Sequence, residues 1–146
     1  MSFTIRELKE EDLSNGFIET LSNLSEVGKL ANDTIRKREI LREIKDKNCR
    51  IVIAEDNQNH QIIGSATLLI EQKFIHNGGK AGHIEDVVTR KGYEGKGIGR
   101  EILKELIKIA KDNECYKIIL DCDEKLVKFY EKLGFKKHSI MMRLNT

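Results

Sequence analysis

The chain has 146 residues, 39% apolar and 34% charged, a balance that fits one folded domain over 1–146 and excludes a disordered or fibrous chain. No apolar run approaches the roughly 20 residues that span a bilayer, and residues 1–6 lack the apolar stretch of a secretory signal, so a cytoplasmic protein is expected. A net charge of only +2 and the lack of Trp argue against a dedicated nucleic-acid-binding surface.

Residues 3–8 alternate and predict a short strand. Leu13, Phe17, Leu21 and Leu24 follow at spacings of four, four and three, one helical stripe over residues 10–28 with Gly28 as its stop. Asp33 or Thr34 can cap a second helix running to about Lys45, with Ile35, Ile40, Leu41 and Ile44 inward. Residues 50–55 and 62–71 read as the two strands of a hairpin around the turn at 56–60. After a loop with Asn77-Gly78-Gly79 at its tip comes a strand over 82–89, interrupted by Glu85 and Asp86. Ile98, Ile102, Leu103, Leu106, Ile109 and Ala110 mark a strong amphipathic helix. The near-continuous apolar run 116–120 predicts a central strand, residues 125–133 a short helix ended by Gly134, and residues 135–144 a closing strand or pair of strands. The order, βααββ, then βα, βα and a last β, predicts a mixed sheet with helices on both faces. The three cysteines, Cys49, Cys115 and Cys122, show no CxxC spacing and predict free thiols and no metal site.

Chemistry concentrates in residues 92–100. In Glu94-Gly95-Lys96-Gly97-Ile98-Gly99 the glycines let backbone N–H groups approach an anion without a Cβ in the way, and the following helix adds free N–H groups and the positive end of its dipole. Lys96 and Arg100 add charge. The spacing matches neither a dinucleotide fingerprint nor a P-loop. A phosphate or pyrophosphate is the ligand this chemistry fits; a basic turn with no ligand would carry the same residues.

The segment resembles the Q/R-x-x-G-x-G/A motif with which the GNAT acetyltransferase superfamily binds acetyl-CoA, with Glu94 in place of Gln or Arg. Within the superfamily the chain resembles the glucosamine 6-phosphate N-acetyltransferases. Three blocks carry this: Gly82-His83-Ile84-Glu85-Asp86-Val87-Val88, Cys115-Tyr116-Lys117-Ile118-Ile119-Leu120-Asp121-Cys122, and Val127-Lys128-Phe129-Tyr130-Glu131-Lys132-Leu133-Gly134-Phe135. The early Leu24-Ser25-Glu26-Val27-Gly28 is similar as well, so the likeness covers nearly the whole chain. Leu126 stands where the family places Asn, and Ser25 where it places Thr; a gap-free register puts Asn145, not Arg143, at the family's phosphate-binding arginine.

The resemblance implies the GNAT fold, an α/β (α+β) domain with a mixed, mostly antiparallel central sheet. It implies direct acetyl transfer from acetyl-CoA, without a metal, to the amine of D-glucosamine 6-phosphate, a step towards UDP-N-acetylglucosamine. It implies a homodimer with shared active sites. By the same resemblance Glu85, Asp86, Asp121 and Tyr130 are the catalytic set. Val87, with its backbone N–H as the oxyanion donor, Val88, Thr89, Gly95, Lys96, Gly97, Ile98, Gly99, Arg100, Tyr130 and Lys132 line the cofactor. Ser25, Lys73, His76, Glu85, Asp86, Tyr116, Lys117 and Arg143 meet the sugar phosphate, Tyr116 and Lys117 in the neighbouring subunit's site. In a regular strand Glu85 and Asp86 would point to opposite faces, so the resemblance also implies a distorted strand there. A phenol near pKa 10 and a thiol near 8.5 are close enough for Tyr130 to protonate the departing thiolate. Cys122 has no His nearby in sequence and reads as a buried strand thiol rather than a nucleophile. Two alternatives remain: a GNAT enzyme for another amine, which would not require the 6-phosphate, and an acyl-CoA-sensing module, which would bind without turnover.

Overall fold

The computed structural model describes residues 1–146. Strands β1 (Phe3–Glu7), β2 (Cys49–Asp56), β3 (Ile62–Gln72), β4 (Lys80–Thr89) and β5 (Cys115–Ile119) lie side by side in chain order. β1 to β4 are antiparallel neighbours, and β5 joins β4 in parallel. This is the mixed, mostly antiparallel sheet expected. The helices are α1 (Phe17–Leu21), α2 (Thr34–Asp46), a single distorted turn α3 (Ile75–Gly78), α4 (Ile98–Asp112) and α5 (Val127–Glu131).

Side-chain alternation along β2 builds a core on each face of the sheet. Ile51 and Ile53 pack with Leu13, Phe17 and Leu41 beneath α1 and α2. Val52 and Ala54 pack with Ile102, Leu103 and Leu106 of α4. All six stripe positions read for α4 are buried. Asp33 caps α2 as expected, its carboxylate accepting the N–H of Arg36.

Several expectations fail for physical reasons. Residues 10–28 are not one helix: a 3-10 turn (Glu10–Ser14) stops where Gly16 takes φ 86°, a left-handed conformation, and α1 starts afresh. The break is anchored, because the Asn15 carbonyl accepts the N–H of Ile62 and the Thr20 hydroxyl donates to the Ile62 carbonyl. Ile35 is 73% exposed, not inward. The inward face of α2 runs through Lys37 and Leu41, and the Lys37 ammonium donates to the carbonyls of Leu13 and Ala31. The run 116–120 forms the edge strand β5, not a central one, and Tyr116 and Ile119 stay partly exposed. Helix 125–133 splits into a 3-10 turn (Glu124–Leu126) and α5. Residues 135–144 form no strand; none of the five strands pairs with them, and Ile140, Met142 and Leu144 are almost fully exposed. No helix is long and apolar enough to cross a membrane.

Candidate functional site

Pairing between β4 and β5 ends at His83 and Ile119. Beyond that point the two strands part. The rest of β4 forms one wall of the opening, and the chain leaving β5 at Leu120 and Asp121 forms the other.

The β4 wall is bulged. Thr67 faces Glu85 and Ser65 faces Val88, so Asp86 and Val87 together stand opposite Ala66. Asp86 takes φ 53°. The extra residue resets the alternation: Glu85 and Asp86 are both exposed, while Val87 packs against the same core as Ile84. The distortion inferred for these two acids is thus present. Partial desolvation by the neighbouring protein pushes the Glu85 carboxyl above its ordinary range, and the negative charges of Asp121 and Asp86 push it further. Asp121 therefore lies within electrostatic reach of Glu85 across the opening.

On the far wall Tyr130 of α5 is buried, edge-on to Phe129 and Phe135 at ring separations of 5.0 and 6.0 Å. Burial raises its phenol to about 12, helped by Cys122 and Asp121 beside it. Cys122 itself is exposed rather than buried, because the chain has already left the sheet. Its thiol is pushed up by desolvation and by Asp121, Asp123 and Glu124, opposite to what a nucleophile needs.

The glycine segment links the end of β4 to α4. Gly97 at φ 81° precedes the first residue of α4, a backbone that other residues adopt only under strain. The amides of Ile98, Gly99 and Arg100 begin the helix and have no intrahelical carbonyl to bond. Thr89 and Phe129 border Gly99, which joins the loop to both walls. Lys96 lies over the Tyr93 ring at 5.1 Å, and the Tyr93 hydroxyl donates to Asp56 at 3.3 Å. Val88 and Thr89 complete β4 beside the loop. Lys132 sits exposed at the C-terminal cap of α5.

The expected sugar-phosphate residues separate into groups. Ser25 is exposed in the turn after α1. Lys73, His76, Tyr116 and Lys117 gather: His76 stacks on Tyr116 at 4.0 Å, Lys117 lies over the same ring at 5.6 Å, and Lys73 pairs with Glu71 at 2.9 Å. This cluster is at the start of β5, and Asp121 lies five residues on, about 16 Å at strand rise. Arg143 is in the exposed tail, bonded to Asn145. Sequence reasoning missed Asn23, which donates to the Thr89 carbonyl at 2.7 Å, and the His83–Glu71 contact at 2.7 Å. Asn23 carries no motif, and His83, though within the block 82–88, gives no sign in sequence of its Glu71 partner; only the fold brings these partners together.

Residues 12–135 match the model of the acetyltransferase (GNAT) family. The chain is 41% identical over 145 residues to a glucosamine 6-phosphate N-acetyltransferase of Trypanosoma brucei brucei, covering 97% of this chain and 94% of that one. A probable glucosamine 6-phosphate N-acetyltransferase of Drosophila melanogaster is 38% identical over 135 residues, and the chain spans 59% of that longer protein. The crystal structure of glucosamine-6-phosphate N-acetyltransferase from Arabidopsis thaliana superposes with a TM-score of 0.90 at 36% identity, covering 99% of both chains. With a five-stranded sheet that parts between β4 and β5, a bulge at Asp86 and a glycine loop feeding α4, the chain belongs to the GNAT acetyltransferase family.

Proposed function

We propose that the chain transfers the acetyl group of acetyl-CoA to the amine of D-glucosamine 6-phosphate. The observation that carries this is the opening between β4 and β5. Glu85 and Asp86 lie on one wall, Asp121 and Tyr130 on the other, and the free amides at the start of α4 adjoin both. The names of the relatives support the substrate.

In this reading the pyrophosphate of acetyl-CoA rests on the amides of residues 95–100, with Lys96 and Arg100 adding charge. The thioester then lies between Val87 and Tyr130. The amine attacks the carbonyl carbon, the Val87 N–H stabilises the oxyanion, and the C–S bond breaks to release CoA. The amine loses one proton and the thiolate gains one, so the products are the amide and CoA thiol. A Glu85 carboxyl held above its ordinary range is a better acceptor for the ammonium proton; Asp86 and Asp121 hold the amine.

Tyr130 is the donor for the proton that the thiolate gains. Burial holds its phenol at about 12, so it is protonated throughout the working range and donates to the departing thiolate, whose own pKa the same desolvation raises. The phenol then regains its proton from the medium.

The site is shared between two copies. Lys73, His76, Tyr116 and Lys117 gather at the start of β5, too far from the end where it parts from β4 to meet a sugar in their own opening. The outer edge of β5 has no partner, and Phe74, Ile75, Ile140, Met142 and Leu144 expose apolar surface. A second copy covers these and delivers its cluster, and Arg143, to the phosphate.

The test is acetyl-CoA consumption with glucosamine 6-phosphate, glucosamine and spermidine. A strong preference for the phosphorylated sugar is expected; equal rates on all three would sink the substrate assignment.

A further inference from the structure

Asn23 belongs to no motif, and Glu94 stands where similar motifs carry Gln or Arg; the fold joins them. The Asn23 side-chain amide donates to the Thr89 carbonyl at 2.7 Å and to Glu94 Oε1 at 3.3 Å. Glu94 Oε2 accepts the N–H of Gly92 at 2.7 Å. One side chain from the turn after α1 thus holds the last residue of β4 and, through the carboxylate, the first residue of the glycine segment. Both carboxylate oxygens are engaged.

We propose that Asn23 and Glu94 form a latch, two positioning residues that hold the phosphate loop in its receptive shape before the cofactor arrives. The proposal rests on reading that loop as the acetyl-CoA pyrophosphate site. Gly92, Gly95 and Gly97 all have positive φ, at 88°, 75° and 81°. So many glycines in so short a segment leave the unrestrained loop many conformations, and the entropy lost in ordering it would oppose binding. Hydrogen bonds that order it beforehand reduce that cost.

Glu94 also brings an opposing effect, a negative charge beside an anion site. The side chain is exposed, so solvent and salt screen the repulsion. The N–H groups of Glu94 itself and of Gly92 hold its carboxyl below the ordinary range, so it stays charged and the latch does not open near neutral pH. The two effects are separable, because Gln keeps one acceptor oxygen for the shorter bond from Gly92, giving up only the long contact from Asn23, while removing the charge.

Three variants test the latch. Asn23→Ala and Glu94→Ala should each raise the KM for acetyl-CoA about fivefold, the worth of one exposed hydrogen bond. The kcat and the KM for the amine should stay within about twofold, a split that general loss of structure would not give. The double variant should cost less than the product of the two single effects, because both changes remove the Asn23–Glu94 bond. Glu94→Gln should keep a KM for acetyl-CoA at or below that of the parent. In the CoA-free protein, hydrogen exchange at the Gly92 amide should quicken about tenfold in Glu94→Ala and stay slow in Glu94→Gln. The latch is overturned if Glu94→Gln behaves as Glu94→Ala, if all variants match the parent, or if the amine KM rises as much as that for acetyl-CoA. Calorimetry separates the two levels of failure. A parent protein that does not bind CoA defeats both the latch and the reading of the loop; a parent that binds as its variants do defeats the latch alone.

Discussion

Glu85 and Asp86 show what one inserted residue does. A regular strand would send their carboxylates to opposite faces, whereas the bulge leaves both exposed. If Glu85 takes the ammonium proton, its active form is the carboxylate, which is lost as pH falls through its pKa. Partial desolvation, Asp121 and Asp86 all raise that pKa, so the acid limb of kcat should lie above the range of an ordinary carboxylate. Glu85→Gln should lower kcat about 10²-fold and remove that limb; a limb that persists in a pH–rate profile would move the role to Asp86 or Asp121. Tyr130→Phe keeps the packing against Phe129 and Phe135 but loses the donor. It should lower kcat by about 10²-fold with the KM for acetyl-CoA nearly unchanged; an unchanged kcat removes Tyr130 from the mechanism. The acids and the tyrosine were readable as residue types, because a resemblance carries over side chains one by one. The phenol's height at about 12 was not, since it depends on burial and on Cys122 and Asp121 beside it.

At the scale of elements, long-range contacts decide what periodicity leaves open. The six-residue stripe of α4 was legible because all its apolar positions serve one face. The stripe over residues 10–28 misled, because Leu13 and Phe17 do face one core although the helix between them is broken at Gly16. Its tie to Ile62 comes from a strand dozens of residues away, which no local pattern reports. Gly64 makes a similar point about packing. A Cβ there would lie 2.6 Å from Ile98 Cγ2 and 2.9 Å from Ile102 Cδ1, so α4 rests on β3 with no room for a methyl group. Gly64→Ala should destabilise the fold by about 1–3 kcal/mol. A shifted midpoint with an unchanged slope in urea unfolding would show it, and a midpoint equal to the parent's would mean that α4 moves away freely. Because α4 follows directly on the glycine loop, the same variant should also weaken CoA binding.

At the scale of the molecule, the tail joins sequence to assembly. Ile140, Met142 and Leu144 alternate with Met141 and Arg143, the pattern of a strand with one apolar face. That pattern is why residues 135–144 read as a strand, and a single chain offers them no partner edge. Their apolar face stands 86–90% exposed, which water opposes by roughly 25 cal/mol for each Å² of apolar surface that a partner could cover. The free edge of β5 and the apolar Phe74 and Ile75 are surfaces of the same kind. If two copies bury them together, the dimer and the phosphate site are one structure. Ile140→Asp with Met142→Asp places two charges in that interface. It should give a monomer in sedimentation and raise the KM for glucosamine 6-phosphate at least about tenfold. CoA should still bind, because residues 92–100 and Tyr130 are held by α4 and α5 within one chain. Loss of CoA affinity in step with sugar affinity would instead mean that the tail supports the fold of its own subunit, and a variant that stays dimeric with an unchanged KM would remove the tail from both.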